Sequence, residues 1–113
     1  MTTSPAQQIA WQKQAHKVLS AFLDRAYREG LPPLQWTIGD TGVSLTGRAG
    51  SYAAGRREAI AAWSAALGIA TAEHPRDGGT VIVGSAEHVD TPQGWASVTL
   101  TAYIWDEGKD AGG

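Results

Sequence analysis

The chain has 113 residues, 42% of them apolar and 18% charged, which suits one domain with a modest core and excludes an intrinsically disordered segment. No apolar run approaches the roughly 20 residues of a membrane span, and the absence of cysteine removes disulfides, thiolate nucleophiles and thiolate metal sites together. The formal net charge of -2 divides unevenly, into +3 over residues 1–72 and -5 over residues 73–113, a polarity that steers oriented encounters with a charged partner or a second copy.

The N-terminal "MTTSPAQQ" lacks the basic-then-apolar pattern of a signal peptide, so a cytoplasmic protein is expected. Ser4-Pro5-Ala6-Gln7 reads as a helix start, with Ser4 at the N-cap, Pro5 at the first helical position and Gln7 three residues after the cap. Trp11, Ala15, Val18, Leu19, Phe22, Leu23 and Ala26 recur at helical spacing. Lys13, Lys17, Asp24 and Arg28 fall on the other side, the last two at i,i+4. Gly30 ends the helix, Leu31 packs back on it, and Pro32-Pro33 forbid its continuation.

Leu34, Trp36 and Ile38 alternate with polar residues, as do Val43, Leu45 and Gly47 after the turn "GDTG", which predicts a hairpin. Ser51 is placed to cap a second helix with the stripe Tyr52, Ala59, Ile60, Trp63, Ala66 and Leu67, ended by Gly68 and Ile69. "TAEHPRDGG" reads as a loop. "TVIVGSAEHV" and "WASVTLTAYIWD" read as a third and a fourth strand joined through "DTPQG", and residues 107–113 as a fraying tail.

The predicted order is α-β-β-α-β-β in a single domain. The expected fold is α+β, a two-layer sandwich in which a four-stranded antiparallel sheet carries both helices on one face. Two topologies produce this order: a ferredoxin-like unit whose first strand has moved to the end, and a tandem of two helix-hairpin units.

"GSYAAGRR", from Gly50 to Arg57, has the glycine spacing of a phosphate-binding P-loop. A working P-loop needs a Lys for the terminal phosphates and a Ser or Thr for Mg²⁺. Here Arg56 replaces the Lys and Arg57 the hydroxyl, and the preceding strand belongs to a hairpin, so nucleotide hydrolysis is not expected. Arg56 and Arg57 near a helix start remain weak candidates for holding a simple anion.

His74 lies beside Glu73 and Asp77, and His88 beside Glu87 and Asp90. Two imidazoles with a carboxylate ligate a divalent ion if their segments meet, and His88 with Asp106 makes a base and its orienter. Neither spacing matches a ligand motif and no nucleophile stands out, so no metal, cofactor or catalytic residue is expected.

The tryptophans carry more. Trp11, Trp36 and Trp63 fall on core faces. In the fourth strand Val98, Leu100, Ala102 and Ile104 form one face, and Thr99, Thr101, Tyr103 and Trp105 the other. With helices on the aliphatic side, Tyr103, Trp105 and Thr101 stand on the open side with Arg48, Thr46 and Thr37. Aromatic residues and Arg dominate binding hot spots. The expected function is a non-enzymatic accessory module that binds a protein partner or itself through this face. Nucleic acid is the alternative, because exposed aromatics stack bases; the acidic net charge and Asp106-Glu107 oppose it. A small hydrolase ranks third, and no membrane partner is expected.

"GLPPLQWTIGDTGVSLTG" followed by "RREAIAAWSAALG" resembles small uncharacterised proteins of actinobacterial genomes, phages and integrative elements. These share a Leu-Pro-Pro/Ala-x-x-Trp-x-x-Gly hairpin start and an Arg-rich helix ending in Ala-Trp-x-x-Ala-Leu-Gly. The likeness covers Leu31 to Gly47 and Arg56 to Gly68. It implies a phage or mobile-element context and assigns no site residue.

Overall fold

A computed structural model of the chain describes residues 4–50 and 55–105. The elements run α1 (Pro5–Glu29), β1 (Gln35–Ile38), β2 (Ser44–Arg48), α2 (Arg56–Leu67), β3 (Ala72–Arg76), β4 (Gly79–Thr91) and β5 (Gly94–Trp105). The class is α+β with two helices, as the periodicity predicts. The sheet, however, is five-stranded and mixed, in the order β1-β2-β5-β4-β3.

Helix α1 starts and stops where its punctuation places it. The Ser4 hydroxyl accepts the Gln7 backbone N–H at 3.1 Å. Gly30 takes the left-handed conformation at φ 71° and donates its N–H to the Ala26 carbonyl, a backbone shape that a Cβ would oppose. Leu31 also donates to Ala26, at 3.0 Å. The buried stripe is narrower than the apolar pattern. Ala15, Val18 and Phe22 are buried, but Leu23 is 51% exposed and Trp11 only half-buried. The ion pair on the outer side joins Arg25 to Glu29 at 2.9 Å, in place of the expected Asp24–Arg28 pair.

The expected start of the second helix at Ser51 is corrected. Helix α2 begins at Arg56 with Gly55 as its N-cap and no side-chain cap, and residues 51–54, Ser51 and Tyr52 among them, lie outside the described residues. Its inner face buries Ala59, Ile60 and Trp63.

Two further corrections concern the sheet. The segment read as a loop, "TAEHPRDGG", contains edge strand β3, which pairs antiparallel with β4 from Ala72 opposite Val83 to Arg76 opposite Gly79. All five of its residues are exposed, so it buries no apolar face and leaves no alternation to read. Pro75, which lacks an N–H, is tolerated because the strand is at an edge. The sheet is also not wholly antiparallel: β2 runs parallel to β5, from Ser44 opposite Ser97 to Arg48 opposite Thr101. A parallel pair needs a long crossover, and α2 with the β3–β4 hairpin supplies it. The second unit is therefore a helix followed by a three-stranded meander, not a helix and a hairpin.

β4 and β5 form the longest ladder. Between Ala86 and Val89 the register slips, so that Glu87 and His88 together oppose Ser97 in a β-bulge. Both helices pack on the face made by Leu45, Val98, Leu100, Ala102 and Ile82, all buried. Phe22, Trp36 and Trp63 meet there, with ring centroids 5.3 to 6.2 Å apart. Gly47 sits opposite Trp36 in the β1–β2 ladder and leaves room for its indole.

Candidate functional site: the open sheet face

β5 alternates strictly. Ala96, Val98, Leu100 and Ala102 are buried under the helices, and Thr99, Thr101 and Tyr103 are half-buried on the opposite face, where Trp105 is 50% exposed. Directly paired residues share a face, so the registers extend this surface across the sheet. One row reads Gln35, Arg48, Thr101, Val83, Ala72. The next reads Tyr103, Val81, His74, and the last Trp105, Gly79, Arg76. Thr37, Thr46 and Thr99 lie together one row further back. The four residues singled out for partner binding, Arg48, Thr101, Tyr103 and Trp105, thus share this face, and among the described residues no acidic one occupies any of the three rows around them.

Tyr103 and Trp105 touch edge to face, with centroids 4.8 Å apart at 72°. The Tyr103 hydroxyl donates to the Asp77 carbonyl in the β3–β4 turn, which fixes one side of the pair. Arg48 Nη2 donates to Gln35 Oε1 at 3.4 Å. A cavity of about 380 Å³ opens between these groups, lined by Gln35, Arg48, Ala49, Arg56, Tyr103 and Trp105. It lies where parallel strands β2 and β5 run out at their carboxyl ends and α2 begins. The two arginines grouped as weak anion-binders therefore separate in place: Arg56 lines this cavity, and Arg57 reaches Glu73 on β3.

Four residues of "GSYAAGRR" are described, Gly50, Gly55, Arg56 and Arg57. Arg56 and Arg57 stand where Lys and Ser or Thr are needed. One premise changes, because β2 does have a parallel neighbour in β5. The expectation then rests on the side chains alone: calorimetry of the protein with ATP and Mg²⁺ should give no saturable, Mg²⁺-dependent heat. Such a heat, abolished by Gly55→Val, would overturn it.

The histidines do not converge. His74 is on edge strand β3 opposite Val81, while His88 is in the bulge of β4, seven residues and about 20 Å further along. Among the described residues no group of three or more His, Asp or Glu is placed to hold a metal ion. His88 Nε2 lies 2.8 Å from Asp90 Oδ1, and the alternative orienter, Asp106, is outside the described residues.

One residue of this surface escaped the sequence reading. Trp95 is 43% exposed and its indole stacks on the His88 ring, with centroids 4.7 Å apart at 14°. Its even spacing from Trp105 places both on the same face of β5, about 33 Å apart along the strand. That spacing was the available signal. The His88 partner was not legible, because it depends on the bulge.

No helix of the described residues is long and apolar enough to cross a membrane. Comparison with family models, curated proteins and solved structures finds no match for this chain.

Proposed function

We propose that this chain is a non-enzymatic accessory module, of a phage or mobile element, that binds a protein partner or a second copy of itself through the open face of its sheet. The supporting observation is Trp105, half exposed beside Tyr103 on a face that neither helix covers. Exposed aromatic pairs of this kind mark contact surfaces, because burying them on association removes a large apolar area from water. Arg48 and Thr101 supply polar contacts beside them.

The test is Trp105→Ala, followed by light scattering of the chain alone and with the product of the adjacent gene. Stability should change by less than about 1 kcal/mol, since the indole is already half in water. Association should weaken at least about tenfold, as for a central hot spot. Tyr103→Ala costs more stability than Trp105→Ala because it also releases the Asp77 turn, so Tyr103→Phe is the cleaner companion. Unchanged association would sink the proposal. Unfolding by Trp105→Ala would instead make the indole part of the core.

A second reading, single-stranded nucleic acid stacked along the face, is favoured only by the aromatic pairs at both ends of β5. It requires a basic track between them. The positions there are Ser97, Thr99 and Thr101, facing Ser44, Thr46 and Arg48, and one arginine does not make a track.

A further inference from the structure

Independently of the open face, we infer that the outer edge of β1 docks a second copy of this chain, the two β1 strands pairing antiparallel about Trp36 and joining two five-stranded sheets into one. Among the described residues β1 and β3 are the two ends of the sheet order, and they differ. β3 is defended as edges usually are, with Pro75 in the strand and Glu73, His74 and Arg76 exposed along it. β1, "QWTI", carries neither a charge nor a proline. Its hydrogen-bond phase follows from the turn, where Gly39 donates its N–H to the Ser44 carbonyl at 3.0 Å. Bonded pairs alternate in an antiparallel ladder, so Thr37 and Gln35 bond to β2 opposite Thr46 and Arg48. The N–H and C=O groups of Trp36 and Ile38, and of Leu34 in the same phase, point outward.

That pattern is complementary to itself. Two such edges centred on Trp36 set Trp36 against Trp36 and Leu34 against Ile38, so that the outward groups of one copy meet those of the other. Directly paired residues share a face. Leu34, Trp36 and Ile38, partly buried against the core, therefore meet their own kind on the helix side, whereas a slip of one residue would set Trp36 against Thr37. The helix layer completes the contact. A groove of about 410 Å³ runs beside this edge between α1 and β1, and Leu23, Tyr27, Leu31, Pro33, Leu34 and Trp36 contribute to it. Tyr27 is 92% and Leu23 51% exposed, while the charged residues Asp24, Arg25 and Arg28 line a cavity on the other flank of α1. A two-fold axis at Trp36 lays the α1 flanks of the two copies side by side, where Leu23 and Tyr27 of each cover the groove of the other. A specific interface takes about 800 Å² from each partner. The short edge supplies part of that, and each aromatic side chain newly buried adds about 150–250 Å².

The probe is the full chain itself, followed by sedimentation equilibrium over a dilution series, and a monomer–dimer equilibrium is expected. Tyr27→Glu, at a position almost wholly in water, should weaken dimerisation at least about tenfold. The register has its own test, because the pairing sets Gln35 of one copy against Thr37 of the other, both exposed in the strand. Gln35→Glu with Thr37→Glu opposes like charges and should weaken the dimer. Gln35→Glu with Thr37→Lys opposes unlike charges and should restore it. The acid at position 35 stands beside Arg48 in either variant, which the monomer tolerates. Hydrogen exchange needs no variant: the Trp36 and Ile38 amides should slow as concentration rises, while the Thr37 amide, bonded to β2, should change little. A monomer at every concentration, a dimer that Tyr27→Glu leaves intact, equal dimerisation of the two charge variants, or Trp36 and Ile38 amides indifferent to concentration each overturns the inference. A dimer lost in Trp105→Ala but kept in Tyr27→Glu means that copies meet through the open face, and only the edge proposal falls. A dimer lost in Tyr27→Glu, with partner binding unchanged by Trp105→Ala, keeps the edge and removes the open-face reading.

Discussion

Replacing Trp63 by Ala is expected to destabilise the protein by about 3–5 kcal/mol in urea melts. Trp63 is 0% exposed and occupies the point where α2 meets both α1 and the sheet. Its ring contacts Phe22 of α1 at 6.2 Å and Trp36 of β1 at 5.3 Å between centroids. Truncation leaves a cavity bounded by three elements of regular structure, and none of these closes over it without shifting a whole helix or strand. The indole Nε1 also donates to the Pro32 carbonyl at 2.6 Å, so the side chain ties α2 to the segment that follows α1. Truncation therefore strands a carbonyl as well as opening a void. Trp63→Phe loses the bond but keeps one aromatic ring in the site, and should cost distinctly less than Trp63→Ala. Trp36→Ala should fall below Trp63→Ala, because Trp36 is only half-buried. A loss under about 1 kcal/mol for Trp63→Ala would mean that the helices do not pack on the face assigned to them.

How much of this was legible depends on whether the signal was local. The bounds of α1 were, because Ser4, Pro5 and Gly30 act on the backbone within one turn of themselves. The faces of β5 were also legible, because strict alternation from Ala96 to Trp105 records which side the helices cover. Strand β3 was not: at the sheet edge Ala72–Arg76 buries nothing, and Pro75 argues against a strand by a rule that an edge relaxes. Leu23 misled in the opposite way. It is in phase with Phe22 and Ala26, yet the core is narrower than the apolar stripe, and Leu23 lies at its rim with Tyr27, which is 92% exposed.

The site divides along the same line. Tyr103, Trp105 and Thr101 come from one strand, and their common face follows from even spacing alone. That Arg48 faces Thr101 follows from parallel pairing between β2 and β5, a contact spanning more than fifty residues of sequence that no local pattern encodes. The same pairing brings Arg56 to the cavity and sends Arg57 to Glu73, although the two are neighbours in the chain with identical side chains. Which of them belongs to the site was decided by the crossover.

That crossover supplies the second large effect: Gly84→Ala is expected to cost about 2–3 kcal/mol, the scale of overpacking in a closed core. The direction is unusual, because Ala in place of Gly within a strand ordinarily stabilises by restricting the unfolded chain. Gly84 is buried in β4 opposite Leu100, and the connection from α2 to β3 passes directly over it. A Cβ there would lie 2.3 Å from the Ala70 carbonyl oxygen, 3.0 Å from its carbonyl carbon and 2.8 Å from Thr71 Cγ2. The obstruction is mainly backbone, so no rotamer change relieves it. Ile69, buried one residue earlier and bonded through its N–H to the Ser64 carbonyl at 3.0 Å, prevents the connection from lifting away. Gly47→Ala is the informative comparison. Its Cβ would meet the Trp36 ring at 2.8 Å and the Leu34 side chain at 2.9 Å, both of which can rotate, so it should cost less and should instead alter Trp36 fluorescence. Urea melts of the two variants decide the matter. A Gly84→Ala protein as stable as the parent would mean that the α2–β3 connection does not cross β4 at this point, and the crossover that makes β2 parallel to β5, and with it the meeting of Arg48, Arg56 and Trp105, would have to be redrawn.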